Sequence, residues 1–179
     1  MSEQDWTQVN TLPRPVNDDK EAWRAYWIEQ RQLWRWEPEI DEERQKYLAT
    51  RRKVIPDFEQ GIYPFKDIDP NLSRADVEWL LSMHDNNCGL VDWYDESQCE
   101  CEGLDLRGVD LRGEYLYGLP LAKYNLSAAH LEKASLNNAH LEGADLIGTF
   151  FDAATNLEGL VLSNNKYGTA SLVDIHWGM

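Results

Sequence analysis

The chain is short of cysteine, of basic charge and of long apolar runs. Its 179 residues include three cysteines, Cys88, Cys99 and Cys101, an odd number and too few for a disulfide framework, which fits a reducing compartment. Lys and Arg number 17 against 32 Asp and Glu, a formal net charge of −15. Nucleic acid and anionic membrane surfaces repel such a chain, so neither is expected as a direct partner, whereas a basic protein is compatible. No apolar stretch approaches the ~20 residues that a bilayer-crossing helix needs. The opening MSEQDWTQ has no basic stretch leading into an apolar one, so no secretory signal is read and a cytoplasmic protein is expected. A glycine-rich phosphate loop, an HExxH pair and a nucleophile elbow are also missing, so neither an enzyme nor a cofactor is expected.

What is present divides in two. Trp6, Trp23, Trp27, Trp34, Trp36, Trp79 and Trp93 precede residue 94, and only Trp177 follows. The composition places a tryptophan-rich helical region at 1–98 and a second domain at 99–179. In the first, Asn17 is a candidate helix cap, with Asp18 and Asp19 in the opening turn where the helix dipole favours acids. Trp23, Tyr26, Trp27, Leu33 and Trp34 fall near one helical face. Pro38 suits the first position of a second helix, with Ile40, Tyr47 and Leu48 as its thin apolar stripe, and Pro56 stops it. Residues 57–70 carry Gly61, Pro64 and Pro70 and read as loop. Ser73 and Asp76 have capping-box spacing at the head of a third helix, whose inner face is Val77, Leu80, Leu81 and His84. An acidic, turn-rich junction follows at 85–102.

The second domain is dominated by a period. Leu106, Leu111, Leu116, Leu121, Leu126, Leu131, Leu136, Leu141 and Leu146 recur every fifth position, and Phe151 continues the series. Five fits neither a helix nor a flat strand; it is the spacing of a solenoid whose short units stack. Two positions before the centre stand Ala129, Ala134, Ala139 and Ala144, then Thr149. The next match after Phe151 is Leu157, six residues on, so an extra residue near Ala154 should bulge outward or end a regular segment. Leu162, Tyr167, Leu172 and Trp177 then follow at five.

Segments such as ASLNN, AHLEG and ADLIG resemble the pentapeptide-repeat family, with its motif A(D/N)LXX, over roughly residues 104–179. The resemblance implies a mainly β solenoid: a right-handed, quadrilateral β-helix of about four coils, here with an N-terminal α-helical cap region. It also favours a bacterial source. The central Leu and the small residue point inward, because a narrow core with Leu at every corner leaves space for little more than a methyl group. In the early units Leu104, Val109, Glu114, Leu119 and Tyr124 fill the small slot. They imply a first coil widened and covered by the helices. Glu114 is expected to be half-exposed or paired, since a dry unpaired carboxylate costs several kcal/mol.

Few residues suggest chemistry. His84, Cys88, Cys99 and Cys101 form the one candidate zinc set, but the pattern H-x3-C-x10-C-x-C is tighter at its C-x-C pair than a finger knuckle, which favours thiols without metal. His130 and His140 are two repeats apart and so belong to opposite sides of a four-sided coil. The expected function is a non-catalytic protein-interaction scaffold, with an unidentified protein as partner and Tyr115, Tyr117 and Phe150 as candidate contacts. Ile175 and Trp177, on an uncovered last coil, are candidates for a homodimer contact. The family offers an alternative, since some acidic members mimic duplex DNA and bind type II topoisomerases such as gyrase. Residues 99–179 hold eleven acids and five Lys or Arg. Four coils span on the order of 18 Å, over which a duplex carries about ten charges, so this solenoid reaches little more than half that density.

Overall fold

A computed structural model describes residues 12–16, 18–83, 104–164 and 168–178. The chain forms two compact units, Met1–Pro38 and Glu39–Met179. The expected domain boundary at 98/99 lies outside the described residues.

The first unit is built on α1, Lys20–Glu29, and the cap is Asp19. Its carboxylate accepts from the amides of Glu21 and Ala22 at 3.0 and 3.2 Å, satisfying donors that the first turn leaves over. Asn17 lies outside the described residues. Trp23 and Trp27 are buried and stack at 5.2 Å, with Tyr26 edge-on to Trp27 at 4.9 Å. The helix stops at Glu29, and Arg31 takes a left-handed φ of 60°. Leu33 therefore leaves the helical face on which the spacing put it, and is exposed.

In the second unit α2 spans Glu42–Arg51, capped by Asp41 through a 2.8 Å bond from the Arg44 amide. It thus starts later than Pro38 and ends before Pro56. Leu48 is buried, but Tyr47 is exposed. Residues 57–62 close a small hairpin, Asp57 and Ile62 exchanging two backbone bonds of 2.9 Å. Helix α3, Arg74–Ser82, begins with the capping box that Ser73 and Asp76 announced. Arg44 joins the helices, its Nε donating to Asp76 Oδ1 at 3.0 Å and its Nη2 to Asp76 Oδ2 at 3.1 Å.

From Leu104 onward the chain is a β-solenoid that advances by twenty residues per coil. Parallel bridges join Asp105 to Asn125 and Asn125 to Asp145, Asp110 to His130, Tyr115 to Ser135, and Pro120 to His140. Each coil therefore takes four five-residue steps, and we number its sides by their corner residues: side one Leu106, Leu126 and Leu146; side two Leu111, Leu131 and Phe151; side three Leu116, Leu136 and Leu157; side four Leu121, Leu141 and Leu162. The pairing is a ladder of single bridges; only β1 (Phe150–Asp152) and β4 (His176–Gly178) extend to a regular parallel pair. Every corner Leu from Leu106 to Leu146 is at most 1 % exposed, as are Ala129, Ala134, Ala139 and Ala144. Burying each Leu is worth about 1.5–3 kcal/mol, and stacking accumulates that gain.

Two outward positions explain the rest of the motif. The residue before each corner is often Asp or Asn because its side chain accepts from the amide two residues on: Asn125 from Ser127, Asp145 from Ile147 and Asn156 from Glu158, at 3.0–3.1 Å. The residue two after each corner from Leu106 to Leu146 turns the chain with φ between 53° and 73°, whether it is Gly118, Lys123, Ala128, Lys133 or Asn138.

The extra residue near Ala154 is taken up in the turn after β1. His130 pairs with Phe150 but Ser135 with Asn156, and Asp152 Oδ1 gathers the Ala154 amide and the Thr155 hydroxyl at 3.0 Å. The later spacing needs correction. Val161 pairs with His140 and Ser171 with Asp145, so Leu162 and Leu172 are successive corners rather than two steps apart. The intervening residues form a hairpin, β2 (Ser163–Asn164) against β3 (Gly168–Thr169), closed by a 2.7 Å bond from the Ala170 amide to Leu162 O. Tyr167, which the spacing made a corner, lies outside the described residues. Among the described residues the stack holds three coils and the first two sides of a fourth.

The wide early slots are filled as the sequence implied: Leu104, Val109, Leu119 and Tyr124 are buried, and Glu114 is half-buried with Oε2 accepting from the Arg74 amide at 2.9 Å. The Arg74 side chain meets the same coil. Its Nη1 donates to Tyr115 O at 2.7 Å and Tyr117 O at 3.1 Å. One coil down, the equivalent carbonyls of Ser135 and Asn137 accept from the amides of Leu116 and Gly118. The guanidinium thus stands where amides of a preceding coil would donate. Pro120 occupies the slot where His140 donates its amide to Leu119 O, and having no N–H it leaves no donor on that edge.

Candidate functional site

The outward slots align in columns down each side. Side one carries Asp105, Asn125, Asp145 and Ser171 before the corners, and Arg107, Ser127, Ile147 and Val173 after them. Arg107 folds back on Asp105, its Nε donating to Oδ1 at 2.8 Å, and this bond raises the guanidinium pKa above its ordinary value. Its flat face lies 4.5 Å from the Phe58 ring and 4.9 Å from Tyr63, which ties the 57–62 hairpin to the first coil.

Side two carries Asp110, His130, Phe150 and His176 in one column. The three rings are parallel: His130 lies 4.4 Å from Phe150, and Phe150 4.5 Å from His176. His130 Nδ1 is 3.1 Å from Glu132 Oε1. Above it, Arg112 Nε donates to Asp110 Oδ1 at 2.9 Å, and Asn71 Nδ2 donates to Asp110 Oδ2 at 2.9 Å. The Arg112 bond holds the Asp110 carboxyl below the usual carboxylate range. A groove of about 350 Å³ runs between this corner and the 65–72 loop, lined by Lys66, Asn71, Asp110, Arg112 and His130 among others.

Side three carries the expected contacts Tyr115 and Tyr117, whose rings stack at 5.9 Å with 5° between planes. Phe150 is thus on a neighbouring side, and the three do not form one patch. On side four His140 Nδ1 lies 3.1 Å from Glu142 Oε1. His130 and His140 are on opposite sides, as their spacing required. In the last coil Trp177 is 61 % exposed, one face of its ring 5.3 Å from Phe151, while Ile175 is half-buried. Leu172 is exposed although Leu146, one coil above, is buried.

Among the described residues no three His, Cys, Asp or Glu are grouped to hold a metal. The candidate set His84, Cys88, Cys99 and Cys101 lies outside them. Among the described residues no helix is long and apolar enough to cross a membrane. Sequence reasoning missed the ring column on side two, whose members stand 20 and 26 residues apart, and the Arg107 sandwich.

Comparison with known proteins gives the fold a context. A family model described as pentapeptide repeats (8 copies) matches residues 125–155. No curated protein matches the chain. A solved pentapeptide repeat protein, Rfr23 from the cyanobacterium Cyanothece 51142, is 27 % identical over 41 % of this chain and 54 % of its own, with a TM-score of 0.25. The chain thus spans about half the length of that protein. A pentapeptide repeat protein of the Arabidopsis thaliana thylakoid lumen is 21 % identical over 47 % of this chain and 67 % of its own, with a TM-score of 0.29. One from Nostoc Pcc 7120 is 21 % identical over 42 % and 78 %, with a TM-score of 0.21.

Proposed function

We propose, from the match of residues 125–155 to pentapeptide repeats and the twenty-residue bridge ladder around them, that the protein is a non-catalytic interaction scaffold of the bacterial cytoplasm. In this reading the coils close as a right-handed, quadrilateral β-helix, and α2 and α3 serve as its cap. One observation carries the reading. The backbone ladder satisfies itself from coil to coil, which frees the outward slots to hold rows of unlike side chains at fixed spacing, the tyrosine pair on side three and the ring column on side two among them. Solenoids use such rows to meet protein partners.

The test is a pulldown from the native host with Tyr115→Ser/Tyr117→Ser and with Phe150→Ser. A specific partner retained by the wild type and lost by either variant, at unchanged circular dichroism, supports the scaffold. Retention by both removes these residues as contacts.

The alternative is a DNA mimic that binds gyrase. Asp105 and Asp110 are each held by the arginine two residues on, which interrupts the anionic field at the first coil. The scaffold reading predicts no inhibition of gyrase supercoiling by the purified protein, and inhibition would reverse the order of the two. We also propose a homodimer through Ile175 and Trp177, supported by the exposed Leu172 and Trp177 of the last coil. Light scattering showing a monomer at high concentration rejects it.

A further inference from the structure

We infer that side one of the solenoid, with the 57–62 hairpin above it, is a docking face for a basic amphipathic helix of a partner protein. The inference rests on the scaffold reading and names its partner chemistry. Among the described outward slots of the repeats, the exposed large aliphatic side chains are Ile147 and Val173, 41 % and 54 % exposed, and both belong to the same column of side one. At the head of that column stands Arg107 with Phe58 against it, and Phe58 is 71 % and Ile62 42 % exposed. The hairpin that presents them is fixed. Asp57 Oδ1 accepts from the amides of Glu59 and Gln60 at 3.0 Å, and Arg51 donates to the carbonyls of Pro64, Tyr63 and Lys66 at 2.8–3.3 Å. Exposed apolar groups on a preorganised frame mark an interaction surface, because little conformational entropy is lost when they are covered.

Spacing selects a helix. Coils are about 4.8 Å apart, so Val173 and Ile147 are separated by one such step and Ile147 and Arg107 by roughly 10 Å. With a rise of 1.5 Å per residue, helix positions i, i+3 and i+10 fall about 4.5 and 15 Å along the axis, opposite Val173, Ile147 and the Phe58 end of the column. A strand laid the same way repeats its facing side chains every ~6.6 Å and drifts out of step. The side also offers it no main-chain partners, since the ladder pairs coil with coil. Charge selects a basic helix. Asp145 flanks Ile147 and Asp174 follows Val173, on a chain of net charge −15; Arg107 is held by Asp105, and Lys66, beside the hairpin, donates to Gly61 O at 3.1 Å. An acidic helix would be repelled.

The test uses the full chain and a fluorescein-labelled 18-residue peptide of leucine and lysine in an amphipathic helical pattern. Two controls accompany it: the same composition scrambled, and leucine with glutamate in the original pattern. Fluorescence anisotropy should show the basic helix binding at least about tenfold tighter than either control. Ile147→Ser/Val173→Ser, and separately Phe58→Ser, should each weaken it about tenfold, the scale of one lost apolar contact. Ser135→Lys on side three should leave it unchanged. All these side chains are outward, and circular dichroism verifies the fold. Binding that ignores the side-one variants overturns the docking face and leaves the scaffold reading standing. Absence of helix binding overturns it as well, as does sedimentation of the protein with phosphatidylserine-containing vesicles that the same variants abolish. The scaffold reading then stands or falls on the pulldown alone.

Discussion

Replacing Arg74 tests how the open edge of the first coil is closed. The side chain is 4 % exposed and its Nε meets Glu78 Oε1 at 2.7 Å, with Glu78 only 1 % exposed. The same guanidinium holds two carbonyls of the first coil. Arg74→Ala removes a cation from a buried pair and two charge-assisted bonds from the solenoid edge at once. Taking one partner from a buried pair costs about 3–5 kcal/mol, because the remaining charge keeps its desolvation penalty. The carbonyl bonds share that figure rather than add to it in full. For a unit of this size each kcal/mol moves Tm by roughly 2–4 °C, so a fall on the order of 10 °C is expected. Arg74→Met/Glu78→Leu removes both charges and should recover at least about half of the loss. Urea denaturation followed by tryptophan fluorescence reads both. A single variant within about 0.5 kcal/mol of wild type, or a double variant less stable than the single, would refute the view that this arginine joins helix to coil.

Three further predictions follow from the turns and the buried tyrosine. At Gly118, φ is +64° and an added Cβ meets nothing within 4 Å, so Gly118→Ala should cost only the left-handed strain of about 1–2 kcal/mol; Gly159→Ala should cost about the same in thermal melts, since the Asn138 amide group its Cβ would meet ends an exposed side chain that can swing aside. Asp110 is held below its unfolded value of 3.8 chiefly by Arg112. Its contribution is therefore present above about that pH and lost as pH falls through the lower folded value, and Asp110→Asn should flatten the acid limb of a stability–pH curve. Burial raises Tyr124 above the ordinary tyrosine value of 10.0. Stability is then full below that pH and falls as pH rises past it, and Tyr124→Phe should shrink the alkaline loss in urea melts at pH 9 to 11 (roughly the span of tyrosine titration).

The solenoid was legible because its interior admits so few side chains. Leu106 through Leu146, with Ala129, Ala134, Ala139 and Ala144, are buried where the period put them. The α3 capping box was equally legible, since Ser73 and Asp76 satisfy each other locally. Local signals misled where two residues compete for one role: Asp19, not Asn17, caps α1, and Asp41 rather than Pro38 sets the start of α2. The step from Leu162 to Leu172 was misread for a numerical reason. A hairpin of the right length restores the period of five, so spacing alone cannot separate two corners from one corner and an excursion.

The outward slots follow a different logic, and this is why function lagged behind fold. An inward slot is constrained by its immediate neighbours in sequence, through the corner and the turn. An outward slot is constrained, if at all, by residues one coil away. His130, Phe150 and His176 become one stack only when coils of 20 and 26 residues bring them together. Ile147 and Val173 become one column only because the hairpin in the third coil is excluded from the count. A register mistake of five residues would have placed Val173 on another side and dissolved the column. Any surface reading of such a protein therefore depends on the excursions being found first. Shortening the hairpin makes that dependence testable: deleting the five residues 164–168 restores a five-residue step from Leu162 to Leu172 and should leave the ladder bond between Leu146 N and Ser171 O, now 3.0 Å, in place. Slow amide exchange at Leu146 in the deletion variant is the expected result. Fast exchange there would mean that the hairpin helps to hold the fourth coil and that side one ends at Ile147.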